Sequence, residues 1–400
     1  MEASNAERKV LRDPYNSIVF EAGRHMDIYV VGGYIRDLLA DRESSDRDYV
    51  VGGTIESLVK AVVGQTRGKL IKLGREGLRR VIVKGAGTLD FSPLRQSIQG
   101  DLALRDFTIN AIGWSPKDGW IDPEGGMRDL LQGRIRMVEA QNLRLDPLRI
   151  LRAYRLAAEL SFKIEGETKS AMGAILNMVS GVKSERITSE FFKILNLRNA
   201  PITIEEILGD GLLPYLIMRP VAELQDKVKV LHKLYERIGD KMFKYSLSLD
   251  KRFSQDLVYR GLLGLEVLLD GLPAHLFRLS SKVLRRLLLL QKAGKIVHEA
   301  GSVSLKRETL CELFEAACGA SVDLLLTRNL GAYEKDFMDF ERITREGLLT
   351  AAEVRSVLQS NSGAELGNVL RALRRAEFLG DIKNRDGAVR FVKAWRQGRR

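Results

Sequence analysis

Hydrophobic and polar positions change rhythm once along this chain of 400 residues, and the change divides it. Up to about residue 138 the apolar runs are short and end at glycine. Such runs, bounded by turn residues, read as strands: Ile28–Val31, Asp48–Val51, Leu70–Leu73, Arg80–Lys84 and Thr88–Phe91. Gly52-Gly53, Gly74, Gly85 and Gly87 punctuate them. Apolar residues three and four apart predict helices over Asn16–Met26, Ile35–Leu39, Ile55–Val63 and a segment after Asp106. This first part is expected to be an α/β or α+β domain. From Asp146 onward almost everything carries the helical period: Pro147–Leu160, Thr168–Val179, Thr188–Leu195, Ile204–Gly209, Gln225–Ile238 and so on to the end. Pro201, Pro214, Pro220 and Pro273 interrupt the pattern, and Gly209, Gly211 and Gly380 read as helix stops. There is no fixed-period repeat and no low-complexity segment.

Composition adds a partner class. The length allows two to four domains with a sizeable core. The formal net charge of +12 favours a polyanion, most often nucleic acid, through counterion release. A generally basic soluble protein has the same balance. Basic residues of the helical part alternate with Leu and Ile, as in 370–375 and 393–400, where they are either solvated faces or a track for an RNA backbone. Cys311 and Cys318 stand about two helical turns apart, too far for a disulfide, and read as buried thiols of a reducing cytoplasm. His25, His232, His275 and His298 give no zinc-ligand spacing. The start, MEASNAERKVLRDP, is no secretory signal. Val283–Leu290 is short and holds two arginines, so it reads as a buried helix rather than a membrane span. A cytoplasmic protein with no membrane partner is expected.

The chemistry concentrates in residues 29–50, YVVGGYIRDLLADRESSDRDYV. A strand runs into Gly32-Gly33, then Arg36-Asp37, then a second strand carrying Asp46-Arg47-Asp48. Side chains two apart on a strand point the same way, so Asp46 and Asp48 present two carboxylates to one point. Mg²⁺ favours carboxylates together with substrate phosphates. The Gly-Gly turn lets backbone approach a phosphate closely. A lone D-x-D is also a common surface turn or helix cap; the ordered set is what points to phosphoryl or nucleotidyl transfer.

Three further clusters follow. In DLALRDFTINAIGW (101–114), Asp106 reads as a helix N-cap with Asn110 one turn on, and Arg105 suits phosphate or ribose. In 121–138, a Gly-Gly turn with Asp122 and Asp129 reads as a turn joining two domains. In 143–160, Asp146 reads as N-cap with Pro147 at the first helical position. Arg149, Arg152 and Arg155 follow it. Three arginines in two turns repel one another and call for an anionic partner, or form a solvated basic face.

In this order the four clusters resemble the class II tRNA nucleotidyltransferase and bacterial poly(A) polymerase family of the polymerase-β-like superfamily. The resemblance is strong over Ile28 to about Leu160 and weak through 184–195 and 363–389. It implies an α+β nucleotidyltransferase head with a small mixed sheet (1–138). A helical neck (139–200), helical body (201–310) and helical tail that binds tRNA (311–400) would follow. It implies Mg²⁺ on Asp46 and Asp48, and a triphosphate at Gly32, Gly33, Arg36 and Asp37. Arg105, with Asp106 and Asn110, would contact nucleotide. Asp146, Arg149, Arg152 and Arg155 would read the incoming base and hold phosphates. Asp90 is the candidate for a third carboxylate, and equally an edge or turn Asp. A carboxylate accepts from the exocyclic amine of cytosine or adenine, and a guanidinium donates to the neighbouring ring nitrogen. That selects C or A and does not choose between them.

Three departures from the family pattern stand out. Leu145 occupies the place of a Glu before Asp146, and Leu104 that of an Arg before Arg105. Between Phe91 and Arg105 only SPLRQSIQGDLAL (92–104) remains, where A-adding members carry a long flexible loop. The resemblance therefore implies an enzyme that adds C residues of the tRNA CCA end from CTP. ATP use is left open, and a separate A-adding enzyme would complete the end. A full CCA-adding enzyme, a poly(A) polymerase and an inactive RNA-binding homologue are the alternatives.

Overall fold

The computed structural model describes residues 3–74, 77–239, 249–270, 277–300, 304–317, 319–360 and 362–398. Pro273, His275, Cys318 and the last two arginines lie outside the described residues. The chain divides into two compact units, Met1–Met218 and Arg219–Arg400.

In the first unit, helices α1 (Ala3–Arg12) and α2 (Pro14–Ala22) precede β1 (Ile28–Val31). Next come α3 (Gly33–Leu39), β2 (Asp46–Val51) and α4 (Ile55–Thr66). Strands β3 (Lys69–Lys72), β4 (Arg79–Val83) and β5 (Gly87–Pro93) lead to α5 (Ile98–Ala103). Strands β6 (Gly113–Ser115) and β7 (Gly119–Ile121) complete one seven-stranded mixed sheet, ordered β3-β4-β5-β2-β1-β6-β7. Only β2 and β5 within it run parallel. Alternation along β2 decides the layers. Tyr49 and Val51 belong to a core with α2 and α4, through Val19, Leu58 and Val62. Val50 belongs to the opposite cluster with Val31, Ile98 and Leu102.

The expected strands are all present, each within two residues of its predicted bounds. The helix expected after Asp106 is not formed: α5 ends before it, and only a 3₁₀ turn, Thr108–Asn110, follows. Residues 121–138 do not join two domains. They form β7, α6 (Gly126–Leu131) and β8 (Arg134–Ile135) inside the unit, with Asp129 buried against Thr108 and Arg136. Asp122 takes the N–H groups of Gly126 and Met127 and so caps that turn.

Helices α7 (Ala140–Leu145) and α8 (Arg149–Leu160) follow, then β9 (Lys163–Ile164), which pairs with β8. Asp146 is not the N-cap of a helix from Pro147. It ends α7, with φ −140° and ψ 87°, and α8 starts at Arg149 without a side-chain cap. The reason is Pro147, whose ring disfavours helical backbone in the residue before it. Helix α9 (Gly166–Gly173) and a separate 3₁₀ turn replace the single helix expected over Thr168–Val179. Helices α10 (Ser184–Leu195), α11 (Ala200–Gly209) and α12 (Leu213–Ile217) close the unit, so 139–200 is compact with the head.

The described residues of the second unit are helical, from α13 (Val221–Gly239) to α21 (Arg385–Arg396), apart from short turns. Phe314, Phe337 and Phe378 centre one core, and Val354, Leu373 and Val392 another. The run 283–290 is amphipathic rather than wholly buried, since Leu284 and Leu288 face outward. Cys311 is a buried free thiol, and burial pushes its pKa up to about 11. Among the described residues no helix is long and apolar enough to cross a membrane.

Candidate active site

Asp46 and Asp48 share the face of Val50, on the side of α5. Asp48 is the register partner of Val31, so the chain leaves β1 through Gly32 directly beside that carboxylate. Gly32 has φ +77°, and a Cβ there would lie 3.1 Å from Arg105 Nη1 and 3.3 Å from Asp48 Oδ2. Glycine is what allows the turn, the guanidinium and the carboxylate to close on one point.

A cavity of about 420 Å³ opens there. Gly32, Gly33, Arg36, Asp37, Asp46, Asp48, Arg105, Asp106, Asn110, Asp146, Arg149, Arg152 and Arg155 all line it. Sequence reasoning missed two lining residues. Tyr34 follows the Gly-Gly turn and was within reach of the motif; Ser44 carries no signal in the sequence. Asp90 does not line the cavity. It is the register partner of Asp48, yet both its oxygens accept from Arg80, at 2.7 and 2.5 Å. Among the described residues no three Asp, Glu, His or Cys side chains gather into a metal-holding set.

One hydrogen-bond relay crosses the cavity wall. Arg36 donates to Asp37 Oδ1 from Nε and Nη2 (2.9 and 2.7 Å) and to Asn110 Oδ1 from Nη1 (2.7 Å). Asn110 Nδ2 donates to Asp106 Oδ1 at 2.8 Å, and Arg152 Nε to Asp106 Oδ2 at 2.8 Å. Asp106 is thus no α-helix N-cap; besides Asn110 and Arg152 it takes the N–H of Phe107. Burial by itself would raise its pKa, but Arg152, Asn110 and that N–H bring it below the usual carboxylate value. The Arg152 guanidinium is held charged by Asp106 in turn.

The arginines of α8 differ in their freedom. Arg155 is tied to Glu190 and Glu159 at 2.6 and 2.7 Å, and these carboxylates outweigh burial to raise its pKa. Arg149 gives one N–H to the carbonyl of Leu104, and burial lowers its pKa. It carries the least-compensated charge of the three. Asp146 is held by both Nη atoms of Arg186, at 3.1 and 2.8 Å. Each carboxylate oxygen keeps a second lone pair for another donor. Leu104 and Leu145 are 56% and 69% exposed, so neither side chain is packed into the fold.

Asp48 is the electrostatic exception. Burial raises its pKa, Arg105 opposes this, and Asp90 and Asp46 raise it further. Two carboxylates on one strand face form an oxygen donor set that suits a hard divalent cation. The residues present fit such an ion.

Comparison with known proteins shows what the chain as a whole is similar to. The family description "Poly A polymerase head domain" matches residues 84–136, and "Probable RNA and SrmB- binding site of polymerase A" matches residues 161–223. A CC-adding tRNA nucleotidyltransferase of Geobacter sulfurreducens is 32% identical, over 95% of each chain. An A-adding tRNA nucleotidyltransferase of Deinococcus radiodurans is 28% identical, over 92% of this chain and 95% of its own. The fold is that of the CCA-adding enzyme of Thermotoga maritima solved in complex with tRNA: TM-score 0.77, 22% identity, 99% of this chain and 98% of that one.

Proposed function

The chain belongs to the tRNA nucleotidyltransferase and poly(A) polymerase family, and from that premise we propose that it adds C residues, from CTP and with Mg²⁺, to the 3′ end of tRNA. That it is a CCA-type nucleotidyltransferase acting on tRNA follows from the 32% identity with the Geobacter protein over almost the whole chain. The restriction to CTP is the finer reading.

The observation that carries the site assignment is the single cavity on which the Gly-Gly turn, the D-x-D strand, the 105–110 segment and α8 converge. Asp46 and Asp48 would hold the divalent ion. When bound, that ion supplies charge neutralisation at the triphosphate and lowers the pKa of the attacking hydroxyl. The chain's own residues do the rest. Gly32 and Gly33 bring backbone to the phosphates, and Arg36 and Arg105 offer forked donors to phosphate oxygens. Arg36 is fixed by Asp37 and Asn110, so it is oriented before any nucleotide arrives. Asp146 accepts from the exocyclic amine of the incoming base and Arg149 donates to the adjacent ring nitrogen. A uracil or guanine carbonyl would face the Asp146 carboxylate and be rejected.

Support for CTP alone comes from the segment after β5. Residues 92–104 go almost at once into α5, whose N-cap Ser97 accepts from Gly100 N–H. A tether this short and this structured has no length left for a swinging lever. Replacing Asp46 or Asp48 by Ala is expected to abolish CTP incorporation into tRNA lacking its CCA end, with tRNA affinity retained. Incorporation that survives either change refutes the assignment.

A further inference from the structure

The residue between the two carboxylates points away from the cavity and is charged. Arg47 alternates to the face of Tyr49 and Val51, where apolar residues otherwise make the core. It is only 6% exposed. A buried guanidinium is costly unless it is paired and its donors are used. Each of its three nitrogens has a partner. Nε and Nη2 meet the Asp13 carboxylate at 3.1 and 2.5 Å. Nη1 reaches the carbonyls of Ser45 and Ala86 at 3.0 and 3.4 Å. The rings of Tyr15 and Tyr34 lie on the guanidinium, each with its centroid 5.1 Å away.

The anchors matter because of what they hold. Ser45 is the residue before β2, and Ala86 the residue before β5. These two strand openings lie side by side: Thr88 N–H donates to the Ser45 carbonyl, and Thr88 Oγ1 to Asp46 Oδ1 at 2.9 Å. Asp46 is the exposed first residue of its strand, where a ladder frays most easily. Tyr34, directly after the Gly-Gly turn, donates to Asp13 Oδ2 at 3.2 Å and accepts from Asn16. Tyr49 donates to Asn16 at 2.6 Å. One polar network under the sheet therefore grips both the D-x-D strand and the start of α3.

We propose that Arg47 is a positioning residue for the carboxylates on either side of it: clamped by Asp13 between Tyr15 and Tyr34, it locks the opening of β2 and so sets the separation of Asp46 and Asp48 that a divalent cation requires. This rests on the reading of Asp46 and Asp48 as metal ligands. A merely structural Arg47 would affect stability and leave metal affinity alone in whatever protein remains folded.

The experiment uses the full chain. Mn²⁺ alone is titrated by electron paramagnetic resonance into wild type, Arg47→Lys, Arg47→Met, Asp13→Asn and Asp46→Asn, each checked for folding by circular dichroism. The half-saturating Mg²⁺ for CTP incorporation is measured in parallel. Removing an outer-shell support typically costs about tenfold in metal affinity or more. That loss is expected for Arg47→Met and Asp13→Asn, with a matching rise in half-saturating Mg²⁺ and unchanged tRNA affinity. Arg47→Lys keeps the ion pair and loses the fork, so it should fall between. If Arg47→Met does not fold, Arg47→Lys and Asp13→Asn carry the test. Folded variants with wild-type Mn²⁺ affinity and Mg²⁺ requirement would overturn the positioning role. Wild-type Mn²⁺ affinity in Asp46→Asn would remove the metal assignment itself, and the proposal with it.

Discussion

Asp48 and Asp106 line the same cavity with their ionisation shifted in opposite directions. Asp106 has a folded pKa below its unfolded value. Its stabilising contribution is present above the unfolded value, about 4, and is lost as pH falls through the folded one. Arg152→Met strips the main compensating charge and leaves a buried carboxylate short of a partner, a loss of about 2 kcal/mol. The deficit in urea midpoint is expected to be full at pH 7 and to shrink as the pH falls through the lowered folded pKa, below which Asp106 is protonated with or without Arg152. A deficit independent of pH would contradict this account. For Asp48 the sign reverses: the contribution of a raised pKa is present below the unfolded value and lost as pH rises through the folded one. Asp48→Asn should therefore raise the urea midpoint at pH 7 in metal-free buffer and not at pH 3, while abolishing incorporation. A lower midpoint at pH 7 would refute the raised pKa that burial, with Asp90 and Asp46, imposes on Asp48. What the sequence reveals at this scale is parity: D-x-D puts two carboxylates on one face. It cannot reveal that Arg80 occupies Asp90, that Arg186 holds Asp146, or that Arg47 is buried. Those partners come from tertiary neighbours.

The openings of β2 and β5 are the elements on which Asp46 depends. Gly87 has φ +98°, and a Cβ there would fall 2.1 Å from the Ser45 carbonyl oxygen. Gly87→Ala is expected to cost about 1–3 kcal/mol in strain and to lower incorporation, because Thr88 beside it bonds to Asp46. Gly119 also has positive φ, +68°, but nothing lies within 4 Å of a Cβ there. Gly119→Ala should cost about 1–2 kcal/mol with incorporation at the wild-type rate in protein that is folded. Equal effects of the two changes on incorporation would argue against the strand opening as the sensitive point. The strands were legible because four- or five-residue apolar runs stand between glycines. Strands β6 and β7 were not: each has three residues, and Gly113 and Gly119 carry no strand signal. The start of α8 was misread because Asp-Pro imitates an N-cap with Pro at the first helical position. Here the proline instead turns the chain between two helices.

For the whole molecule the partner is a polyanion, and the excess of Lys and Arg sets how binding responds to salt. The logarithm of tRNA affinity should fall linearly with that of salt concentration, with a slope that counts phosphate contacts. A slope near zero would contradict electrostatic recognition of the RNA backbone. The two-part organisation was legible in the change of period near residue 138. The compact boundary at Met218 was not, because the helices from α7 to α12 pack into the first unit through contacts that periodicity does not record. The central claim is C addition to tRNA by this cavity without an adenine step, and it is tested most directly by offering one nucleoside triphosphate at a time. With tRNA lacking its CCA end and Mg²⁺, CTP is expected to extend the RNA to the CC stage and stop, while ATP adds nothing to tRNA ending in CC. Efficient ATP incorporation onto that CC end would contradict the account.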